Sequence, residues 1–419
     1  MVLIQTPTVS LHDRTYRLPS RPTVIVCVDG FDPEYLSTGI SDGILPTLSS
    51  FVDRGFHTTG LSAMPSLTNP NNLSIITGAP TAVHGIAGNY YLDKLTGKEH
   101  MVLDDSLVRG STILERMADA GVRVAAVTAK DKLRKIIGRG LTPAKGAICF
   151  SAQYAGDCTL EENGVTAVEA WIGRTTPQQY SADLSLYVLD AGIKLLQEGR
   201  ADLFYLTLSD YVQHTYAPRE PEADEFMKGL DARLGELVEL GAVVAVTADH
   251  GMSNKSNQDG SPNVLFLEDQ LNMKWPESGV RVICPIADPF VKHHGALGGF
   301  VRVHLTEGTS KKVVEEMVQH CRSLTQVEAA YTGEEAAALL EMPADREGDL
   351  VVIAKENAAI GSRRDEHDLL LMKDHRLRSH GGLSEQALPL LRSTPIRLHE
   401  GDAKRVWRNY DVFDLALNY

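Results

Sequence analysis

The amino-acid sequence predicts an α/β fold: a mostly parallel central sheet with helices on both faces, joined to a smaller α+β lobe. Three observations predict it. Short unbroken apolar runs recur along the chain, each bounded by turn residues, as strands buried on both faces require. Helical text separates these runs, so the strands are joined by crossovers and run parallel. After Lys255 the text changes character, and it returns to polar, histidine-rich text at Asp374 to Gly382, the pattern of an insertion.

The elements follow in order. Val24 to Val28 is a buried strand that ends at Asp29-Gly30. Ser111 to Glu115 opens a helix, with Thr112 and Glu115 at capping-box spacing. That helix stops at Gly121, and Val122 to Thr128 is the next strand. Asp183 to Glu198 carries Leu184, Val188, Ile193 and Leu196 at helical spacing and leads into a strand over Leu203 to Leu208. A helix bearing Leu230, Leu234 and Leu237 precedes the strand Val243 to Thr247. The catalytic core is therefore expected over 1–255 and 374–419, with an inserted cap over 256–373. Within the insert, Phe300 to Leu305 and Leu350 to Ala354 read as strands and Lys311 to Leu324 as an amphipathic helix.

Composition excludes several classes. The chain has 419 residues, 43% apolar and 23% charged, values suited to a soluble globular protein with a large core. Its 41 Lys+Arg against 55 Asp+Glu give a net charge of −14, which argues against a nucleic-acid partner held by backbone charge. The five cysteines are scattered with no CxxC pair and read as reduced thiols, so a cytoplasmic location is expected. The opening residues, with Arg14, Arg17 and Arg21, do not read as a signal peptide. No apolar run approaches the roughly 18 residues of a membrane span, so no membrane association is expected. Oligomeric state is not readable from the sequence, and a homodimer is left open.

The chemistry concentrates where strands end. Asp29 follows Val28, Asp210 follows Leu208-Ser209, and Asp249-His250 follows Val246-Thr247-Ala248. In an open parallel sheet the carboxyl ends of the strands share one edge, where ligands bind. Carboxylates gathered there repel one another unless a cation lies between them. Asp210 and His214 are four apart, so a helical turn after the strand points both the same way. Asp249 and His250 are adjacent and can face one metal only if the backbone bends, which Gly251 permits. His380 lies at a glycine-flanked turn, open to close approach by a ligand. Taken singly, each of these residues is more often a cap, a turn former or a solvated side chain. Their joint occurrence is what points to a metal centre, and an oxygen and imidazole set suits zinc. Thr68 precedes Pro70 and so belongs at a helix N-terminus, where anions bind.

In these blocks the chain resembles the alkaline phosphatase superfamily, and within it the nucleotide pyrophosphatase/phosphodiesterase-like branch. Val24 to Asp29 resembles the first metal-binding strand. Met64 to Asn72 resembles the nucleophile segment, and His84 to Asn89 the block carrying a phosphoryl-binding Asn. Asp210-x3-His214, Asp249-His250-Gly251-Met252 and His380-Gly381 resemble the remaining ligand blocks. The resemblance implies an alkaline phosphatase-like core and two Zn²⁺ per chain. One zinc would be held by Asp29, Asp249, His250 and Thr68, the other by Asp210, His214 and His380. It implies Thr68 as nucleophile, Asn89 as donor to the phosphoryl group, and His214 beside the substrate. The sequence departs from the pattern at Asn72, where relatives often carry His.

Charge counting narrows the substrate. Two Zn²⁺, three Asp carboxylates and a Thr68 alkoxide sum to zero, so a highly charged substrate needs further cations. Lys130 and Lys132 directly follow the Val122–Thr128 strand and offer them. In this respect, and along Asn89 to Asp93 and Arg378 to Gln386, the chain is similar to the phosphonoacetate hydrolases. That similarity implies a small phosphonate substrate whose carboxylate the two lysines clamp, and cleavage of its carbon–phosphorus bond through a phosphothreonine. Water activated by the second zinc would then release phosphate. The competing expectation is a phosphodiesterase or nucleotide pyrophosphatase on the same metal core, with Tyr90, Tyr91 and Tyr211 as a platform for a base.

Overall fold

The structure is a computed structural model that describes residues 7–289, 295–372, 375–398 and 401–419. The expected cap boundary at 373/374 and the first six residues lie outside the described ones.

A seven-stranded sheet forms the centre, in the spatial order Phe56–Leu61, Ala387–Arg392, Val243–Thr247, Thr23–Cys27, Leu203–Thr207, Val124–Thr128, Ile148–Ser151. The last five in that order are mutually parallel. The first two are added at one edge by antiparallel pairing, so that Ala387–Arg392 runs against the five and Phe56–Leu61 with them. The four expected strands all fall in the parallel part, each buried along its whole length. Side chains alternate between two cores, as a strand's period of two requires. Val24 and Val26 join the cluster with Val188 and Leu230, while Ile25 and Cys27 join the one with Leu114 and Phe413.

The helices that link these strands follow the sequence reading. Thr112 caps Ile113–Asp119 by accepting from the Glu115 N–H, but the Glu115 carboxylate takes the Ser111 hydroxyl instead of closing the capping box. Helix Ala182–Gln197 lies close on the sheet because Gly192 has no side chain there; a Cβ would stand 2.5 Å from Leu206 Cδ1.

The inserted text builds a second, antiparallel sheet of four strands: Arg281–Ile283, Phe300–His304, Leu350–Ala354 and Val327–Thr332. Helix Lys311–Ser323 buries Met317, Val318 and Cys321 against it, in a core with Val301, Val303 and Val352. Ser253–Asn254 pairs antiparallel with Arg378–Ser379, so the chain leaves the central sheet and returns to it side by side. No helix among the described residues is long and apolar enough to cross a membrane. All five cysteines are buried and free.

Candidate metal centre and its surroundings

The carboxyl edge of the parallel strands gathers the expected acids and imidazoles. Asp29 lies just beyond Thr23–Cys27, Asp249 and His250 just beyond Val243–Thr247, and Asp210 at the start of the short helix Tyr211–Thr215. That helical turn brings Asp210 Oδ2 to 2.8 Å from His214 Nε2. His380 arrives from the strand Arg378–Ser379 and the turn through Gly381, whose φ of 118° suits glycine alone. All six are buried.

Hydrogen bonds set the histidine tautomers. His214 Nδ1 lies 2.7 Å from the Arg378 carbonyl, His250 Nδ1 2.9 Å from the Gly251 carbonyl, and His380 Nδ1 2.8 Å from the Ser66 carbonyl. A carbonyl can only accept, so each Nδ1 carries the proton. In the neutral ring each Nε2 is then a lone pair, and these lone pairs face carboxylates. His250 Nε2 is 3.3 Å from Asp29 Oδ1, and His380 Nε2 is 3.8 Å from Asp210 Oδ2. Burial, with His250 and His214 beside it, holds His380 well below the ordinary imidazole range, which favours the neutral ring.

Lone pairs set against carboxylates call for a cation, and the ligand atoms are spaced for one. Asp29, Asp249 and His250 form one group with ligand atoms within 4.8 Å of one another, and Asp210, His250 and His380 form a second. Neither carboxylate oxygen of Asp29 has a hydrogen-bond partner among the described residues. Burial raises the Asp29 carboxyl well above its usual range, and Asp210 and Asp249 raise it further. Burial likewise pushes Asp249 up. A divalent metal with N and O ligands relieves each of these strains, so the residues fit one. His250 belongs to both groups, and its ring stacks on that of His380 at 3.5 Å and 9°.

Thr68 is the first residue of helix Thr68–Thr77, as its distance from Pro70 predicts, and its Oγ1 lies 3.4 Å from His250 Nε2. Asn72, one turn on, donates to Asp249 Oδ2 at 3.2 Å and to the Thr68 carbonyl at 3.0 Å. Its own oxygen accepts from the Tyr205 and Thr207 hydroxyls. Asn72 thus ties the Thr68 turn to a sheet-edge acid. Asn89 packs against the same helix end, where its Oδ1 accepts from the Asn69 N–H at 3.2 Å. Its Nδ2 donates to Ile286 in the inserted lobe at 3.4 Å.

Lys130 reaches the cluster directly, and Lys132 reaches Asp288. Lys130 Nζ lies 3.1 Å from Asp210 Oδ1, and Lys132 Nζ 3.4 Å from Asp288 Oδ2. Burial opposes the charge of Lys130, but Asp210, Asp288 and Asp29 outweigh it and raise its pKa. Burial prevails at Lys132, where Asp288 offsets it only in part, and the pKa falls. Asp288 belongs to the inserted lobe; no periodicity or spacing in the sequence marks it. The expected aromatic platform is dispersed among other contacts. Tyr90 donates to Glu99, Tyr91 tilts against His100, and Tyr211 meets Tyr180 edge-on.

The sheet and the edge cluster define a class, and comparison with known proteins agrees. The chain belongs to the type I phosphodiesterase/nucleotide pyrophosphatase family, whose model matches residues 23–383. Among solved structures it is similar to phosphonoacetate hydrolase from Sinorhizobium meliloti 1021, in complex with phosphonoacetate or with phosphonoformate. Each complex superposes with a TM-score of 0.93 at 43% identity over 99% of both chains. It is also 63% identical over 41 residues to the phosphonoacetate hydrolase of Penicillium oxalicum, 9% of this chain and 57% of that one. A pyrophosphatase/phosphodiesterase of Schizosaccharomyces pombe, described as uncharacterized, is 23% identical over 284 residues, 64% of this chain and 53% of that one. The matches thus span little more than half the length of these two curated relatives.

Proposed function

We propose that the chain is a zinc-dependent phosphonoacetate hydrolase that converts phosphonoacetate and water to acetate and phosphate. The observation that carries this reading is the pair of lysines whose side chains are 9% and 8% exposed, Lys130 beside Asp210 and Lys132 beside Asp288. It is supported by the end-to-end likeness to the S. meliloti protein. In this reading Asp29, Asp249, His250 and Thr68 hold one zinc and Asp210, His214 and His380 the other, with His250 near both. Residues 256–373 form a cap over the site. The buried free thiols suit a cytoplasmic protein.

When bound, the two zinc ions supply positive charge that lowers the pKa of a nearby hydroxyl and offsets charge on phosphoryl oxygens. Thr68 Oγ1 attacks phosphorus, and the new O–P bond forms as the P–C bond breaks. The electron pair leaves on the CH₂ carbon and spreads into the neighbouring carboxylate. Lys130 and Lys132 hold that carboxylate, so they stabilise the charge as it develops. A proton equivalent to the one Thr68 gave up ends on carbon, making acetate. Asn89 donates its side-chain N–H to a phosphoryl oxygen, and His214 borders the substrate. Water then attacks the phosphothreonine, releases phosphate and restores Thr68.

Phosphate release with added zinc, measured on phosphonoacetate, a nitrophenyl diester and a nitrophenyl monoester, tests the reading. Turnover of phosphonoacetate well above both esters is expected. A preference for the diester favours the phosphodiesterase reading, which the family match also suits.

A further inference from the structure

We propose that the buried ion pair Lys255–Glu385 is a positioning device that sets His250 against His380. This rests on reading those two histidines as zinc ligands. Lys255 Nζ lies 2.8 Å from Glu385 Oε1, and both side chains are fully buried. Glu385 touches both ligand segments. Its main-chain oxygen accepts from the N–H of Gly251, next to His250, at 2.7 Å. Its second carboxylate oxygen, Oε2, accepts from the N–H of Gly382, two residues beyond His380, at 2.9 Å. With one oxygen held by the ammonium and the other by Gly382, the carboxylate cannot turn without breaking a buried contact.

The surroundings leave little freedom. A Cβ at Gly299 would stand 2.7 Å from the Gly382 nitrogen and 3.1 Å from Glu385 Oε2, so the lobe's backbone closes directly over this turn. The Gly299 N–H donates to the His380 carbonyl at 2.8 Å. Lys255 is fixed in turn, its own N–H donating to Leu377 at 2.8 Å in the returning chain. The two imidazoles stack at 3.5 Å, so a shift of either backbone segment moves one Nε2 relative to the other. Lys255 and Glu385 touch no reacting atom; they act through the two histidines.

The test is zinc affinity, measured on metal-stripped protein by competition with a chromogenic chelator. Replacing a buried pair by apolar residues of similar size is often neutral for folding, so Lys255→Met/Glu385→Leu is the main variant. It should melt close to the wild type when metal-free, yet bind zinc about 10- to 100-fold more weakly, the usual cost of losing an outer-shell partner. Wild-type zinc affinity in a folded double variant marks the pair as structural only and overturns the proposal. Glu385→Gln, which keeps shape and an acceptor, covers failure of the double variant to fold. It should show a loss in the same direction, and unchanged affinity overturns the proposal equally. A wild-type protein that binds no zinc overturns both this inference and the proposed function. One that binds zinc but spares phosphonoacetate overturns only the function.

Discussion

Replacing Lys132 with Met separates the carboxylate clamp from every other role of the site. The two lysines are not equivalent for this purpose. Lys130 contacts Asp210 at 3.1 Å, so its removal strips a proposed zinc ligand of its neighbour and mixes two effects. Lys132 contacts Asp288 at 3.4 Å, an acid outside the ligand set. One charge-assisted hydrogen bond is worth about 1.5–3 kcal/mol, and 1.36 kcal/mol is tenfold in rate, so a loss of about 10- to 150-fold is expected. The contact strengthens as charge flows from carbon into the carboxylate, so kcat and kcat/KM should fall together. The assay is phosphate release from phosphonoacetate beside nitrophenol release from a nitrophenyl phosphate, whose leaving group has no carboxylate to hold. The second activity should fall far less, and equal losses refute the clamp. A further control is Lys132→Met/Asp288→Asn, because the single variant also removes an ion-pair partner of Asp288. Recovery of phosphonoacetate turnover in that double variant would trace the loss to Asp288 and refute the clamp as well.

Thr68→Ala should lose turnover by several orders of magnitude with little loss of metal, and acid quenching of the wild type should trap phosphate on Thr68; retention of more than about a tenth of kcat excludes Thr68 as nucleophile. His214→Ala should weaken one zinc site by about 10- to 100-fold and the other far less, read by metal titration; equal weakening of both would contradict the ligand assignment. His84 gives a pH prediction away from the metal centre. Its Nδ1 accepts from the Ile86 N–H at 3.2 Å and its Nε2 meets Ser74 Oγ at 2.9 Å, and burial, with His12 and two arginines nearby, pushes its pKa down to about 3. The unfolded chain binds this proton below about pH 6.5 and the folded chain does not, so this contribution is full above 6.5 and is lost as pH falls toward 3. Across that window His84→Gln should flatten the stability profile by up to about 1.4 kcal/mol per pH unit, and an unchanged slope would refute the buried neutral form.

Four of the five parallel strands could be read from the sequence because each is buried on both faces and so is written as an unbroken apolar run; the fifth, Ile148–Ser151, is only four residues long and was not. The two strands added by antiparallel pairing could not. Phe56–Leu61 alternates half-buried and exposed residues over its first four positions, buries only Gly60 and reads FHTTGL, with no run to mark it. Strand ends carry their acids one or two residues past the run, which is why Asp29, Asp210 and Asp249 were legible. Residues that act through tertiary contact were not. Asp288 meets Lys132 across 156 residues of chain, and Glu385 meets Lys255 across 130. Asn72 was visible only as a departure from a family pattern. Its hydrogen bonds to Asp249, Tyr205 and Thr207 depend on the sheet being assembled.

The two sheets divide the labour of the proposed reaction. Every proposed metal ligand and Thr68 come from the chain on either side of the insert, at or beside the carboxyl edge of the central sheet. The inserted lobe supplies none of them, yet one short segment of it reaches two of the groups that would meet the substrate. Pro285 accepts from the Asn89 main chain at 2.8 Å, Ile286 accepts from the Asn89 side chain at 3.4 Å, and Asp288 pairs with Lys132. Residues 285–288 therefore contact both Asn89 and Lys132, the proposed phosphoryl donor and one of the proposed clamp lysines. In the proposed reading, their separation must match a phosphonate with a carboxylate one carbon away. Changes in the ligand set should abolish turnover of all substrates alike, whereas changes in this segment should alter the ratio between them.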